Sequence, residues 1–468
     1  MSIPILNRLT FRDYQALVAA SFFLLLEGLL RIVVTLLPQF VIQMFENVLR
    51  SLFPWLYRTG PSGKTKKLEV IEDFVDMVKK WGYPVENHVV TTRDDYILGL
   101  FRIPGGKNEN ADQRAENGKR PGKPVVLLMH GFMMNSEVWV ACTEEKQNLP
   151  FILADAGYDV WLGNLRGNKY SLKHLQRKPH SRPFWEFSLD EFALYDLPDT
   201  IDHILKITGA PSCSYVGFSQ GTAMAFAALS INPLLNKQIN LFVALAPATT
   251  PHGLENAWID AVVKATPAVI YLLFGRKSAL SAALFWQRVL PPPLFAYLID
   301  MSCNFLFGWT GRNMTPAQKN VAYQHLYSFT SVRSIVHWFQ ILRTGRFQMY
   351  DEMPSRLPYY STADGHSPHR FPTQQIQTPI AIFYGTADSL VDIDVLLRDL
   401  PPPVKVKKMP MWEHLDFLWA DGVEKMHLEV LELIKAYGTT ENGEGMNTNV
   451  SKGKLLDAQK ESRLEDSE

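Results

Sequence analysis

Gly217-Phe-Ser-Gln-Gly221 sets a serine in a G-x-S-x-G pattern. An apolar run, Ser214-Tyr-Val216, precedes it, and a run of helix formers, Thr222 to Leu229, follows. A strand, a sharp turn and a helix in that order present Ser219 at the tip of the turn. The glycines are required because the turn is tight. The helix N-terminus beneath the serine favours negative charge developing there. This is a setting for acyl transfer through a serine, and a plain Gly/Ser turn is the alternative reading.

A serine hydroxyl is a poor nucleophile until a base takes its proton. The expected chain order is serine, then acid, then histidine. Asp388 closes Phe383-Tyr-Gly-Thr-Ala-Asp388, just past a buried strand, at the carboxyl edge where functional groups gather. His414 lies in Pro410-Met-Trp-Glu-His-Leu-Asp-Phe417, on a loop before the helical stretch from Gly422. Asp392 and Asp394 rival Asp388 but fall in the loop or helix that follows. Glu413 and Asp416 flank His414 and point elsewhere if His414 faces Ser219. His174, His252 and His325 lack such a partner pattern and read as structural or exposed. An oxyanion needs two backbone donors. Gln220, the residue after the serine, supplies one. Phe132 supplies the other, at the His130-Gly-Phe132 turn after the strand Pro124–Met129, with His130 as a hydrogen-bonding support. Such a set needs no metal and no organic cofactor.

These residues have to be held by a sheet. Pro124–Met129, Tyr158–Leu162, Ser214–Val216, Leu241–Ala246 and Ile380–Tyr384 are short continuous apolar runs, the signature of strands buried on both faces. His88–Thr92 and Ile97–Ile103 flank a charged turn and read as a hairpin. Helical spacing lies between the runs, at Lys67–Lys80, Asp190–Ile207 and Thr222–Leu229. Alternating strand and helix predicts an α/β fold with a mostly parallel central sheet covered on both sides. Roughly a hundred residues between Thr250 and Arg346 are surplus to it. They read as aromatic-rich helices at Leu254–Val263, Pro267–Phe274, Leu280–Val289, Phe295–Phe307 and Pro316–Leu342. Such an inserted cap would cover Ser219 and line a pocket for an acyl chain. The expected organisation is a hydrophobic anchor and linker over 1–60, core over 61–249, helical cap over 250–346, core over 347–437 and a disordered polar tail over 438–468.

The chain has 468 residues, with 47 Lys+Arg against 47 Asp+Glu. Zero net charge argues against a nucleic-acid partner, which needs a basic surplus. Cys142, Cys213 and Cys303 lack C-x-x-C spacing, so neither a disulfide framework nor a zinc site is expected. Near the N-terminus, Tyr14–Leu26 and Ile32–Phe45 are uncharged, separated by a stretch holding Glu27 and Arg31. A single membrane span, a re-entrant hairpin and an interfacial or packing helix all fit. A cleavable signal peptide does not, because the apolar stretch is too long and no A-x-A-like site ends it. The basic residues that follow (Arg50, Arg58, Lys64, Lys66, Lys67) favour a cytosolic side for the rest. Gly60-Pro-Ser-Gly-Lys-Thr65 imitates a phosphate loop, but Arg58 occupies the position of the required first glycine.

Phe151-Ile-Leu-Ala-Asp-Ala-Gly-Tyr-Asp-Val-Trp-Leu-Gly-Asn-Leu-Arg-Gly-Asn168 resembles the block after the oxyanion strand in the acid lipase family. Phe184-Trp-Glu-Phe-Ser188, Tyr195-Asp-Leu-Pro198 and the Trp-Glu-His-Leu-Asp-Phe417 block extend the resemblance over about 68 to 437. In layout the chain is most similar to the membrane-anchored fungal steryl ester hydrolases of that family. The resemblance implies an α/β-hydrolase with a helical cap, with nucleophile, acid and base on Ser219, Asp388 and His414. It also implies neutral lipid esters as substrate, at a membrane or lipid-droplet surface; a hairpin anchor would suit a lipid droplet, and a single span the endoplasmic reticulum or plasma membrane. Steryl esters are expected first. Triacylglycerol is the nearest alternative, and an acyltransferase or a silent lipid-binding protein the more distant ones. Phe218 departs from the family, whose secreted members carry His there.

Overall fold

The computed structural model describes residues 73–109, 122–251, 267–279, 281–352 and 368–438, with single positions scattered between 14 and 51. The anchor expected over 1–60, the phosphate-loop look-alike, the helix expected at 254–263 and the tail over 438–468 lie almost wholly outside them. Among the described residues no helix is long and apolar enough to cross a membrane.

Eight strands form the central sheet: β1 (Glu86–Thr91), β2 (Tyr96–Ile103), β3 (Val125–Met129), β4 (Asp159–Gly163), β5 (Cys213–Phe218), β6 (Ile239–Leu245), β7 (Ile380–Gly385) and β8 (Lys405–Met409). Their order is β1-β2-β4-β3-β5-β6-β7-β8, with a two-residue strand, Lys173–His174, added beside β2. β2 runs antiparallel to both of its neighbours, β1 and β4, while β3 to β8 pair in parallel. The expected mostly parallel sheet is thus present, and its carboxyl edge carries the turns after β3, β5 and β7.

The apolar runs are continuous because both faces are covered. Val126, Leu128, Val216 and Phe218 point into one core layer, with the helices Leu149–Asp155 and Glu424–Gly438. Val125, Leu127, Cys213 and Tyr215 point into the other, with Leu197–Thr208 and Gln220–Ile231. The helix after Ser219 is apolar all round, and it is buried from Gln220 to Ser230.

Three elements differ from the sequence reading. β8 was not expected: Lys405-Val-Lys-Lys-Met409 is charged, and an edge strand needs only one apolar face. The helix expected over Asp190–Ile207 contains a π turn, Phe192–Asp196, before Leu197–Thr208. The helix expected over Pro316–Leu342 is two helices, Pro316–Ala322 and Val332–Thr344. Tertiary partners break it. Ser328 donates its N–H to the Met133 carbonyl at 2.6 Å, and Thr330–Ser331 pairs with Ser278–Ala279. Ser331 then caps the second helix by accepting from the Ser334 N–H.

Between β6 and β7 the other described helices are Pro267–Phe274, Ser281–Val289 and Pro292–Phe307. A buried ionic cluster fastens this insertion to the core. Glu137, from the loop after β3, takes hydrogen bonds from Lys169 Nζ at 2.6 Å, His325 Nδ1 at 3.0 Å and the Tyr170 hydroxyl. Burial opposes ionisation of Glu137, but His325 and Lys169 outweigh it, and its pKa lies below the usual carboxylate value.

Candidate active site

Ser219 sits at φ 52° and ψ −119°, a conformation strained for any residue with a side chain. Close packing holds it there. A Cβ on Gly217 would come within 2.9 Å of the Gly221 carbonyl, and one on Gly221 within 2.6 Å of the Met129 carbonyl oxygen. Only glycine therefore lets β5, its helix and the end of β3 approach so closely. The Ser219 N–H donates to the Leu245 carbonyl at 3.1 Å, and its own carbonyl accepts from the N–H groups of Thr222 and Ala223 as the helix begins.

The structure brings the three expected side chains together. Ser219 Oγ lies 2.7 Å from His414 Nε2, and His414 Nδ1 lies 2.7 Å from Asp388 Oδ2. All three residues are buried. An ionised carboxylate only accepts, so Nδ1 carries the ring proton and the Nε2 lone pair faces the serine hydroxyl. The other Asp388 oxygen accepts from the Leu390 N–H at 3.0 Å. The arrangement can pass the Ser219 proton to His414 while Asp388 fixes the ring. The rivals are otherwise engaged. Asp392 caps the helix Ile393–Asp399 by accepting from the Val395 N–H, and Asp394 lies in that helix's first turn.

Gly385 lets the acid and base loops meet. A Cβ there would fall 2.2 Å from the Trp412 carbonyl oxygen. Past that crossing, the N–H groups of Thr386 and Ala387 donate to the carbonyls of Met409 and Trp412.

The turn after β3 passes beside the serine, where a Cβ on Gly131 would lie 3.1 Å from Ser219 Cβ. Phe132 follows, with its ring edge-on to Trp338 at 6.5 Å between centroids. Trp338 Nε1 donates to Gln220 Oε1 at 2.8 Å, so one indole touches both residues expected to supply oxyanion donors. His130 is a support. Burial pushes its pKa down to about 4, and the neutral ring donates from Nδ1 to the Gly131 carbonyl. Its Nε2 accepts from the Leu165 N–H and Asn168 Nδ2, so the Asn164–Asn168 segment buttresses the turn.

The flanking acids have jobs that the sequence did not disclose. Glu413 accepts from the Thr310 N–H and hydroxyl, both at 2.8 Å, and from the Gly311 N–H at 2.7 Å. Asp416 accepts from the Glu413 N–H at 2.6 Å and from Asn313 Nδ2 at 2.7 Å. Burial pushes its pKa up to about 6. Asn313 Nδ2 also donates to the Met411 carbonyl, and Asn313-Met-Thr315 is a glycosylation sequon whose use would break both bonds. Neighbouring spacing marks Glu413 and Asp416 as local to His414, but their partners stand about a hundred residues away, where no sequence signal points. His174 accepts from the N–H groups of Gln176 and Arg177, a turn role, while His252 lies outside the described residues. Among the described residues no group of acids, histidines and cysteines could hold a metal ion. Burial raises the Cys213 and Cys303 thiols to about 12.

The α/β-hydrolase fold model matches residues 124–421, and the model of a partial α/β-hydrolase lipase region matches 74–143. The chain belongs to the α/β-hydrolase lipases. It is 43% identical to a probable lipase of Schizosaccharomyces pombe, over 91% of each chain. It is 36% identical to the human gastric triacylglycerol lipase, over 78% of this chain and 92% of that one. Human lipase member K is 34% identical, over 82% and 95% respectively. Like these lipases, the protein is a carboxylic ester hydrolase, and the acid lipase resemblance is borne out.

Proposed function

We propose that this lipase cleaves neutral lipid esters by a Ser219–His414–Asp388 triad, with steryl esters as its main substrate, at a membrane or lipid-droplet surface. The observation that carries the mechanism is the unbroken hydrogen-bonded chain from a strained serine through His414 to a buried carboxylate. Ser219 Oγ attacks the ester carbonyl as His414 Nε2 takes its proton. The Phe132 and Gln220 N–H groups stabilise the tetrahedral oxyanion. His414 returns the proton to the leaving alcohol, and water then releases the fatty acid from the acyl-enzyme.

The layout shared with membrane-anchored steryl ester hydrolases supports the steryl ester reading. Triacylglycerol is the second reading, favoured by the likeness to gastric triacylglycerol lipase. The long uncharged N-terminal runs support membrane association. At the described positions there, Val18, Phe22, Leu25, Leu29 and Ile32 are helical, exposed and spaced along one face. With the base-rich stretch after them, the catalytic part would lie on the cytosolic side.

The test is hydrolysis of cholesteryl oleate and triolein, side by side in detergent micelles, by wild type and Ser219→Ala. Faster cleavage of the steryl ester, lost in the variant, is the expected result. Faster cleavage of triolein moves the substrate to triacylglycerol. Acyl transfer to an added sterol without hydrolysis overturns the hydrolase reading. Failure of wild type to react with a fluorophosphonate points instead to a silent lipid-binding protein.

A further inference from the structure

The segment Phe307–Asn313 belongs to the insertion, yet it is bound to both the acid and the base loops. At one end Ser389, next to Asp388, donates its hydroxyl to the Phe307 carbonyl at 2.9 Å. At the other, Glu413, next to His414, takes the two N–H groups and one hydroxyl of Thr310 and Gly311. Asn313 closes the strap, donating to Asp416 and Met411 and accepting from the Asp421 N–H at 2.8 Å. Gly308, at φ 73°, ends the helix Pro292–Phe307 and turns the chain toward His414. Between the two clamps stands Trp309. Its indole lies nearly parallel to the His414 imidazole, at 11° and 5.3 Å between centroids, and it stacks in turn on Phe307 at 4.3 Å.

We propose that Trp309 is a positioning residue for His414, pressed onto the imidazole by Glu413, and that its ring face stabilises the imidazolium formed as Ser219 attacks. The inference rests on the triad roles given above. Two effects follow from one contact. Stacking leaves the imidazole little freedom to rotate away from the line between Asp388 and Ser219, which keeps Nε2 within reach of the serine proton. The electron-rich indole face also attracts a cation over it, and His414 is a cation only after it has taken that proton. The contact therefore strengthens toward the transition state rather than in substrate binding. A protein whose base sits on a loop gains from this, because Asp388 grips only one edge of the ring. Glu413 acts through Trp309: its carboxylate is spent on the strap and is not aimed at the imidazole.

Among the described residues, the charged groups near His414 are engaged. Asp388 bonds its Nδ1, Glu413 faces Thr310 and Gly311, and Asp416 faces Asn313 and the Glu413 N–H. Across from them Asp300 pairs with Lys319 at 2.7 Å and accepts from the Tyr323 hydroxyl. The Trp309 indole makes none of these pairs.

The experiment compares the full-length wild type with Trp309→Leu, Trp309→Phe, Glu413→Ala and Glu413→Gln on a soluble ester. It measures kcat, KM, the pH dependence of kcat/KM and thermal unfolding. Trp309→Leu should lower kcat about 2- to 30-fold, the range of a cation over an indole face. KM should stay close to wild type, and the acid limb of kcat/KM should move to lower pH, because the imidazolium has lost a stabilising contact. Trp309→Phe should recover part of both effects. Glu413→Ala should change kcat in the same direction, with Glu413→Gln intermediate because its amide oxygen can still accept from Thr310. A folded Trp309→Leu variant with unchanged kcat and an unchanged acid limb overturns the inference. If Trp309→Leu does not fold, Trp309→Phe bears the same readout, and no change in it is equally decisive against the proposal. Ser219→Ala in the same series separates the two levels. If it is inactive while Trp309→Leu is normal, only this inference fails, whereas an active Ser219→Ala removes the triad itself.

Discussion

The two halves of the site are built differently. The nucleophile half is backbone against backbone: Ser219 is strained between β5 and its helix, and Gly217 and Gly221 allow main chains to pass within contact distance. The base half is side chain against distant side chain. His414 stands on a loop whose neighbours Glu413 and Asp416 reach Thr310, Gly311 and Asn313 in the insertion. The first half tolerates little change in residue size because backbone cannot move aside. The second depends on charge-assisted hydrogen bonds, so it should respond to charge and pH more than to volume.

Four changes sharpen that contrast. The largest effect belongs to Ser219→Ala, which should lower kcat by about 10⁴-fold or more with no loss of thermal stability. A variant with measurable wild-type-like turnover would remove Ser219 from the chemistry. Gly221→Ala comes next. Its new Cβ would meet the carbonyls of Met129 and His130 at 2.6 and 2.9 Å, so unfolding stability should fall by about 3 kcal/mol. Denaturant titration reads this directly, and an unchanged midpoint would show that the elbow can relax.

The third change probes the base half by pH. Asp416 is held at about 6 against an ordinary value of 3.8. An acid raised in the folded state contributes stability fully below its unfolded pKa and loses it as pH rises through its folded one. Wild type should therefore lose stability between about pH 4 and pH 6 relative to Asp416→Asn, by at most about 3 kcal/mol. Parallel stability curves for the two proteins would contradict the assignment. The smallest effect is expected of Phe218→His. Phe218 meets His414 only at a tilt, at 5.0 Å and 46°, so kcat should change less than about tenfold. A larger drop would make Phe218 part of the imidazole's support.

The site was legible where a local pattern carries it. G-x-S-x-G between a strand and a helix located Ser219, and the end of β7 located Asp388, because each lies where one short element stops. His414 followed from chain order and from its loop. The Trp309 and Trp338 contacts were not legible, since each indole meets the site from the insertion at a separation with no periodic signature. β8 escaped because its lysines mask a strand that needs cover on one face alone. The break at Ser328 escaped because local spacing cannot see the Met133 carbonyl that takes its N–H.

By itself the sequence determined the α/β layering and the chain positions of Ser219, Asp388 and His414, which the fold brings together. These depend on periodicity and on residues adjacent in the chain, where sterics and backbone hydrogen bonding act over a few positions. Only the tertiary structure decided which aromatic ring lies on the imidazole, which acid is a clamp and which asparagine closes the strap. Those choices are set by hydrogen bonds and ring contacts between segments about a hundred residues apart, and such pairings exist only once the sheet has brought its carboxyl edge together.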